Sequence, residues 1–260
     1  MIYIAFLIFI FFILLLAFYE WQYYMVFSPV YFRDESSCST CQMLSIVTDD
    51  GKTLEGIVYE PSDPKNTLLF FVGRSHDAVG LMDKLKSYYP KTRLIAFNYR
   101  AYGKSTGSTS EKNIKNDGLR IAEIVHKNYG DFYTIGYSLG SSVAAFVASK
   151  HKTKGLFLIG VFDSIASLAK SKFVDKGFFP MIDLSNIFRY KFRTAEYVKI
   201  IDADTYLFVS KHDDVTYIRN AREVQKNVKN LQYYLEVEEL SHKEILWDKR
   251  VIDKIREVVE

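Results

Sequence analysis

The tightest constraint on this chain is the pentapeptide Gly136-Tyr137-Ser138-Leu139-Gly140, set where an apolar run over residues 132–137 meets a helical pattern beginning near 141. A serine on a tight strand-to-helix turn projects its hydroxyl, and small flanking residues let neighbouring backbone pass close by. The helix N-terminus behind such a turn places positive potential where negative charge would develop. The motif therefore requires a strand before it, a helix after it and a sheet to hold both.

The rest of the chain supplies that sheet. Residues 44–48 and 54–59 flank Asp49-Asp50-Gly51-Lys52, which predicts a hairpin with Asp-Gly at its turn. Residues 67–72 form a continuous apolar run of strand length, as suits the buried centre of a parallel sheet, and similar runs follow at 94–98, 132–137, 155–160, 205–210 and 233–237. Between them, residues 77–89, 114–129, 141–150, 221–230 and 243–259 carry apolar side chains at three- and four-residue spacing. Alternating strands and helices imply an α/β domain over 43–260, with a mainly parallel sheet covered on both faces. The interval 165–200 breaks the rhythm. Its Phe178-Phe179-Pro180-Met181-Ile182 and Ile187-Phe188 fit a short helical lid or an ordinary packed excursion.

Residues 1–18 carry no charge, and a helix of that length spans roughly 27 Å, close to the hydrocarbon thickness of a bilayer. Tyr19, Trp21, Tyr23 and Tyr24 follow as an aromatic group suited to headgroup level. Without a basic n-region or a small-x-small cleavage site, a retained single-pass anchor over 1–19 is favoured over a cleaved signal, with 20–42 as a juxtamembrane connector. Glu20 is the only charged side chain before Arg33, so charge bias does not orient the span. Net charge is +3 without a basic block, and no nucleic-acid partner is expected. Cys38 and Cys41 are the only cysteines, and a zinc site would need about four ligands. A local disulfide and two free thiols both remain open, and no metal or organic cofactor is implied.

A serine hydroxyl needs a base to act as a nucleophile. Of five histidines, only His212 and His242 follow Ser138 at sheet-edge loops, and His242 lies directly after the last strand run. The acid expected between them in sequence is Asp213, in Lys211-His212-Asp213-Asp214-Val215 after the run 205–210, with Asp214 its nearest competitor. Asp202 and Asp204 precede that run, at the wrong end of a parallel sheet. An oxyanion site needs two backbone N–H groups, expected from Leu139 and from Arg74 in the loop after residues 67–72.

These residues resemble the membrane-anchored α/β-hydrolases that include protein depalmitoylases and their bacterial relatives. The resemblance covers residues from about 43 to 260 and is most distinctive at Asn98-Tyr99-Arg100-Ala101-Tyr102-Gly103-Lys104-Ser105-Thr106-Gly107, where Ala101 stands for a glycine. Val161-Phe162-Asp163-Ser164-Ile165 is similar to the segment after the strand that follows the family's nucleophile. Arg100 is expected to hold this region as an ion pair. Two departures stand out: Val72-Gly73-Arg74-Ser75 replaces a His-Gly-Asn-Ala loop, and Thr216-Tyr217 replaces the usual Val-Pro after the acid.

The resemblance implies the α/β-hydrolase fold. Together the readings imply a membrane-tethered serine esterase or thioesterase, with Ser138, Asp213 and His242 as triad and an acyl or lipid-like substrate beside the bilayer. A prolyl-oligopeptidase-like peptidase shares the triad order, and a catalytically silent membrane-tethered binding module is the non-enzymatic alternative. The sequence leaves oligomeric state open.

Overall fold

The computed structural model describes residues 2–31, 38–174 and 187–260. It opens with α1 (Ile2–Val26), whose most apolar 18-residue window has a mean hydropathy of 2.9 and no buried residue. That helix is long and apolar enough to cross a membrane. It runs past residue 19, because the segment 20–26 contains no Gly or Pro to break it and docks on the domain. Gln22, Val26 and the following Phe27 are buried.

The expected hairpin forms from β1 (Cys41–Val47) and β2 (Thr53–Tyr59), antiparallel, with Gly51 at φ 73° in the turn. The sulfurs of Cys38 and Cys41 are joined in a disulfide just ahead of it. Six further strands follow: β3 (Thr67–Phe71), β4 (Arg93–Phe97), β5 (Tyr133–Tyr137), β6 (Leu156–Ile159), β7 (Thr205–Ser210) and β8 (Leu231–Val237). Among the described residues they form one eight-stranded sheet in the order β1-β2-β4-β3-β5-β6-β7-β8, parallel from β4 to β8. The central strands are apolar because both faces are covered, and every residue of β3 and β6 is buried. Each fully buried Leu, Ile or Phe there contributes about 1.5–3 kcal/mol.

The covering helices follow their apolar spacing. α2 (Ala78–Tyr88) is capped by Asp77, whose carboxylate accepts from the Val79 N–H. α3 (Glu111–Tyr129) starts three residues earlier than its apolar pattern, because Ser110 caps it through the Asn113 N–H. It buries Ile114, Ile121, Ala122 and Val125. α4 (Leu139–Ala148) buries eight of its ten residues, as its small and apolar composition allows. α5 (Ile165–Ala169) leads into a wider π turn at Lys170–Val174. The apolar group at 178–182, central to the expected lid, lies outside the described residues. α6 (Thr194–Tyr197) and α7 (Ile218–Asn227) precede the last strand. The terminal helix expected from 243 begins at Lys249: a 3₁₀ turn occupies Ile245–Trp247, and Asp248 caps α8 (Lys249–Val259) through the Arg250 N–H.

Strand order reverses direction around β3, so the loops after β3, β5, β7 and β8 gather at the carboxyl edge of the parallel strands. The segment after β4 braces that edge. Asn98 donates to Glu55 on β2 and to Asp77, and accepts from the Ala78 N–H, tying hairpin, sheet and α2 together. Arg100, 5% exposed, makes paired hydrogen bonds to Asp117 on α3 and to Asp50 in the hairpin turn, as an ion-pair role requires.

Ala101 sits at φ 64°, in the left-handed region where a Cβ costs about 1–2 kcal/mol. Ala101→Gly is expected to stabilise the protein by about 1 kcal/mol, after the extra chain entropy of glycine is subtracted. Denaturant unfolding of both forms checks this, and an unchanged or lower midpoint would contradict it.

Candidate active site

Ser138 occupies the turn between β5 and α4 at φ 54°, ψ −120°. This backbone is strained for a residue with a side chain, and its neighbours hold it in place. A Cβ on Gly136 would lie 2.2 Å from the Gly140 carbonyl oxygen, and one on Gly140 would lie 2.0 Å from the Phe71 carbonyl oxygen. The turn closes only because both positions lack that atom. The Ser138 N–H donates to the Ile159 carbonyl at 2.9 Å, locking the turn to β6.

His242 reaches this serine from the loop after β8. Its Nε2 lies 2.9 Å from Ser138 Oγ, and its Nδ1 lies 2.7 Å from Asp213 Oδ2. With Nδ1–H donating to Asp213, Nε2 is left to accept the serine proton. The imidazole stacks on Tyr137, with centroids 5.2 Å apart, while the Tyr137 hydroxyl donates to the His242 carbonyl at 2.8 Å. Gly160, at φ 57°, leaves room on the ring's edge, since a Cβ there would come within 3.1 Å of Cε1.

Asp213 follows β7 and is 5% exposed. Its Oδ1 accepts from the N–H groups of Val215 and Thr216, and its Oδ2 from the Thr216 hydroxyl at 2.6 Å as well as from His242. Burial pushes this carboxyl up, but the bonds from His242 and Thr216 outweigh it, and its pKa lies below the usual carboxylate range. The side chain is thus ionised and fixed against the imidazole.

Sequence reasoning had not assigned Thr216 or Tyr137 a part. Thr216 registered only as a departure from Val-Pro, yet its hydroxyl orients the acid and lies 3.4 Å from His242 Nδ1. Its position three residues after an aspartate was the available signal, since a Thr there can bond back across the turn. Tyr137 had looked like an ordinary strand end. The other candidates lie elsewhere. Asp214 sits on the wall of the neighbouring cavity, Asp202 pairs with Lys229, and Asp204 accepts from Asn230 at the opposite edge of the sheet.

Arg74 and Leu139 flank Ser138 around one cavity of about 160 Å³, whose apolar lining includes Phe162, Ile165, Leu168 and Val215. The Arg74 loop is braced from the segment after β4. Tyr99 donates to the Val72 carbonyl at 2.8 Å, and Tyr102 donates to the Arg74 carbonyl. His76, later in the loop, packs edge-on against Tyr137 and has Nδ1 buried without a hydrogen-bond partner among the described residues.

Together these elements define the α/β-hydrolase fold, with its serine turn, histidine loop and acid loop at one sheet edge. Similar structures include the Pyrococcus furiosus esterase Pf2001, at 16% identity and a TM-score of 0.69, covering 89% of this chain and 96% of that one. A hydrolase from Pseudomonas aeruginosa superposes with a TM-score of 0.62 at 11% identity, covering 82% of this chain and 96% of its own. The esterase domain of a Rhodothermus marinus protein gives 0.60 at 17% identity, covering 84% and 95%. In sequence, the chain is 26% identical over 189 residues to an uncharacterized protein of Acanthamoeba polyphaga mimivirus; the match covers 66% of this chain and 64% of that protein's length. No family model matches the chain.

His76 provides a test of packing behind the site. Burial, with the charge of His242 and Lys243 added, pulls its pKa from 6.5 to about 4. An unfolded chain therefore takes up this proton first as pH falls, and stability declines between about pH 6.5 and 4. The loss from this group is expected to reach on the order of 3 kcal/mol at full acidification. Urea unfolding at pH 7 and pH 5 should show a smaller pH dependence in His76→Leu than in the wild type; equal slopes would contradict the assignment.

Proposed function

We propose that this chain is a membrane-anchored serine hydrolase that cleaves carboxylic esters or thioesters through an acyl-enzyme. The observation that carries the reading is the hydrogen-bonded series from Ser138 Oγ through His242 to Asp213, at 2.9 and 2.7 Å, opening on a mainly apolar cavity. Esterase activity belongs to the Pyrococcus and Rhodothermus proteins named above; for this chain it is an inference from side-chain chemistry, which the resemblance to depalmitoylases extends to acyl thioesters.

Ser138 Oγ attacks the carbonyl carbon while His242 Nε2 takes the hydroxyl proton. Asp213 stabilises the imidazolium and holds its Nδ1–H in place, and Thr216 keeps Asp213 from turning away. The carbonyl oxygen becomes an oxyanion, held by the backbone N–H groups of Leu139 and Arg74 with the field of the α4 N-terminus behind them. Collapse breaks the bond to the alcohol or thiol, which leaves with the proton from His242. Water then gives a proton to Nε2 and attacks the acyl-serine, releasing the acid and restoring Ser138. Phe162, Ile165, Leu168 and Val215 favour an apolar acyl chain, because each methylene moved out of water contributes about 0.8 kcal/mol. α1 is the retained anchor in this reading.

A fluorophosphonate probe applied to the detergent-purified full chain tests it. Wild type is expected to label, Ser138→Ala to lose labelling, and His242→Ala to lose most of it. Ester turnover should fall by about 10⁴–10⁶-fold in either variant. Labelling unaffected by Ser138→Ala would exclude this serine, and an unlabelled wild type would favour a silent binding module.

A further inference from the structure

The foot of α1 lies at the candidate active site. Met25 and Val26, in its last turn, line the same cavity as Ser138 and Leu139. Several contacts fix that turn and the residues just after it to the domain. Gln22, buried in the last two turns of α1, accepts from the Arg189 N–H at 2.6 Å. Phe27 is fully buried, with its ring edge-on to Tyr190 at 4.9 Å and close to Phe192. The Arg74 guanidinium donates to the Met25 carbonyl, one of the groups a helix end leaves unsatisfied. The Ser28 N–H returns a bond to the Arg74 carbonyl at 3.2 Å, and the Val30 carbonyl accepts from Gly103 at 2.7 Å. A flexible tether would need none of these contacts.

Distance along the helix matters too. Met25 lies seven positions after Phe18, about 10 Å along the α-helix. The cavity therefore lies about 10 Å along the helix axis from the uniformly apolar part of α1, comparable to the roughly 5–8 Å headgroup layer on one side of a bilayer.

We propose that the last turn of α1 is part of the substrate site: Met25 and Val26 form one wall of the acyl-binding cavity and set its acyl-length preference, and the helix holds the mouth of that cavity at the bilayer surface for membrane-resident acyl esters. This rests on the serine-hydrolase reading and assigns its specificity to the anchor. The hydrogen bonds between Arg74 and α1 also make the helix foot a support for the candidate oxyanion loop.

Turnover of acetyl, butyryl, octanoyl and decanoyl p-nitrophenyl esters by the full chain in detergent micelles tests the proposal. Met25→Trp, which fills the wall, is expected to lower the decanoyl-to-acetyl ratio of kcat/KM by about tenfold or more. Met25→Ala is expected to move the optimum toward longer chains, and Leu14→Trp, on the exposed part of α1, to leave the ratio unchanged. Packing damage alone would lower all four esters in proportion, so proportional losses in both Met25 variants overturn the proposal. Intact mass of the purified protein gives a second reading: α1 present in the active form supports it, and an active form beginning after Val26 overturns it. A wild type that neither labels with fluorophosphonate nor turns over any ester defeats the hydrolase reading itself, whereas a labelled, active wild type with unchanged ratios defeats only the role of the anchor.

Discussion

The site depends on one close contact, the passage of the α4 N-terminus against the ends of β3 and β5. Gly136 and Gly140 stand where any side chain would collide with backbone, and Ser138 between them adopts a positive φ that its own Cβ disfavours. Strain of this kind costs of order 1–3 kcal/mol and persists only where surrounding structure holds it. Here the sheet bond from Ser138 to Ile159 and the nearly complete burial of α4 supply that restraint. The exposed consequence is a hydroxyl lifted off the sheet edge toward His242.

A second constraint is the polar bracing behind the site. Residues 98–109 hold the loop opposite Ser138 through Tyr99 and Tyr102, and hold the hairpin through Asn98 and Arg100. Arg100 is buried against Asp117 and reaches out to the exposed Asp50, and removing one partner of a buried pair such as Arg100–Asp117 typically costs about 3–5 kcal/mol. Burial raises the pKa of Asp117 even against the opposing pull of Arg100, so the pair holds position at a cost in desolvation. Thr109 closes the segment by donating to the Arg100 carbonyl.

The amino-terminal helix joins these braces at its foot. Its outer section has no preferred face and is open throughout, whereas its last two turns, with the residue that follows them, share hydrogen bonds and ring contacts with the α/β domain. Arg74 links the two: its backbone belongs to the loop beside Ser138, and its guanidinium donates to the Met25 carbonyl at the helix end. In the function proposed above, anchor and cavity wall are one continuous piece of chain.

Much of this architecture was legible in the order of residues. Strand runs such as residues 67–72 and 205–210 announced a buried parallel sheet, because strands covered on both faces cannot alternate apolar with polar. Ser138, Asp213 and His242 could be picked out because this sheet presents loops at one edge in a fixed order, and the sheet brings their side chains together. Helix starts were less legible: Ser110 and Asp248 moved two of them through capping bonds whose geometry no apolar period records. Whether Cys38 and Cys41 were bonded was likewise open from spacing alone. Only tertiary structure stacked Tyr137 under His242 and brought Met25 to the cavity of Ser138, 113 positions away in the chain. The sequence by itself determined which strands are buried and which turn lifts the serine, since both follow from local sterics and apolar period. Which distant side chains share the cavity was decided by packing, because contacts between remote segments follow from the path of the whole chain and leave no local pattern to read.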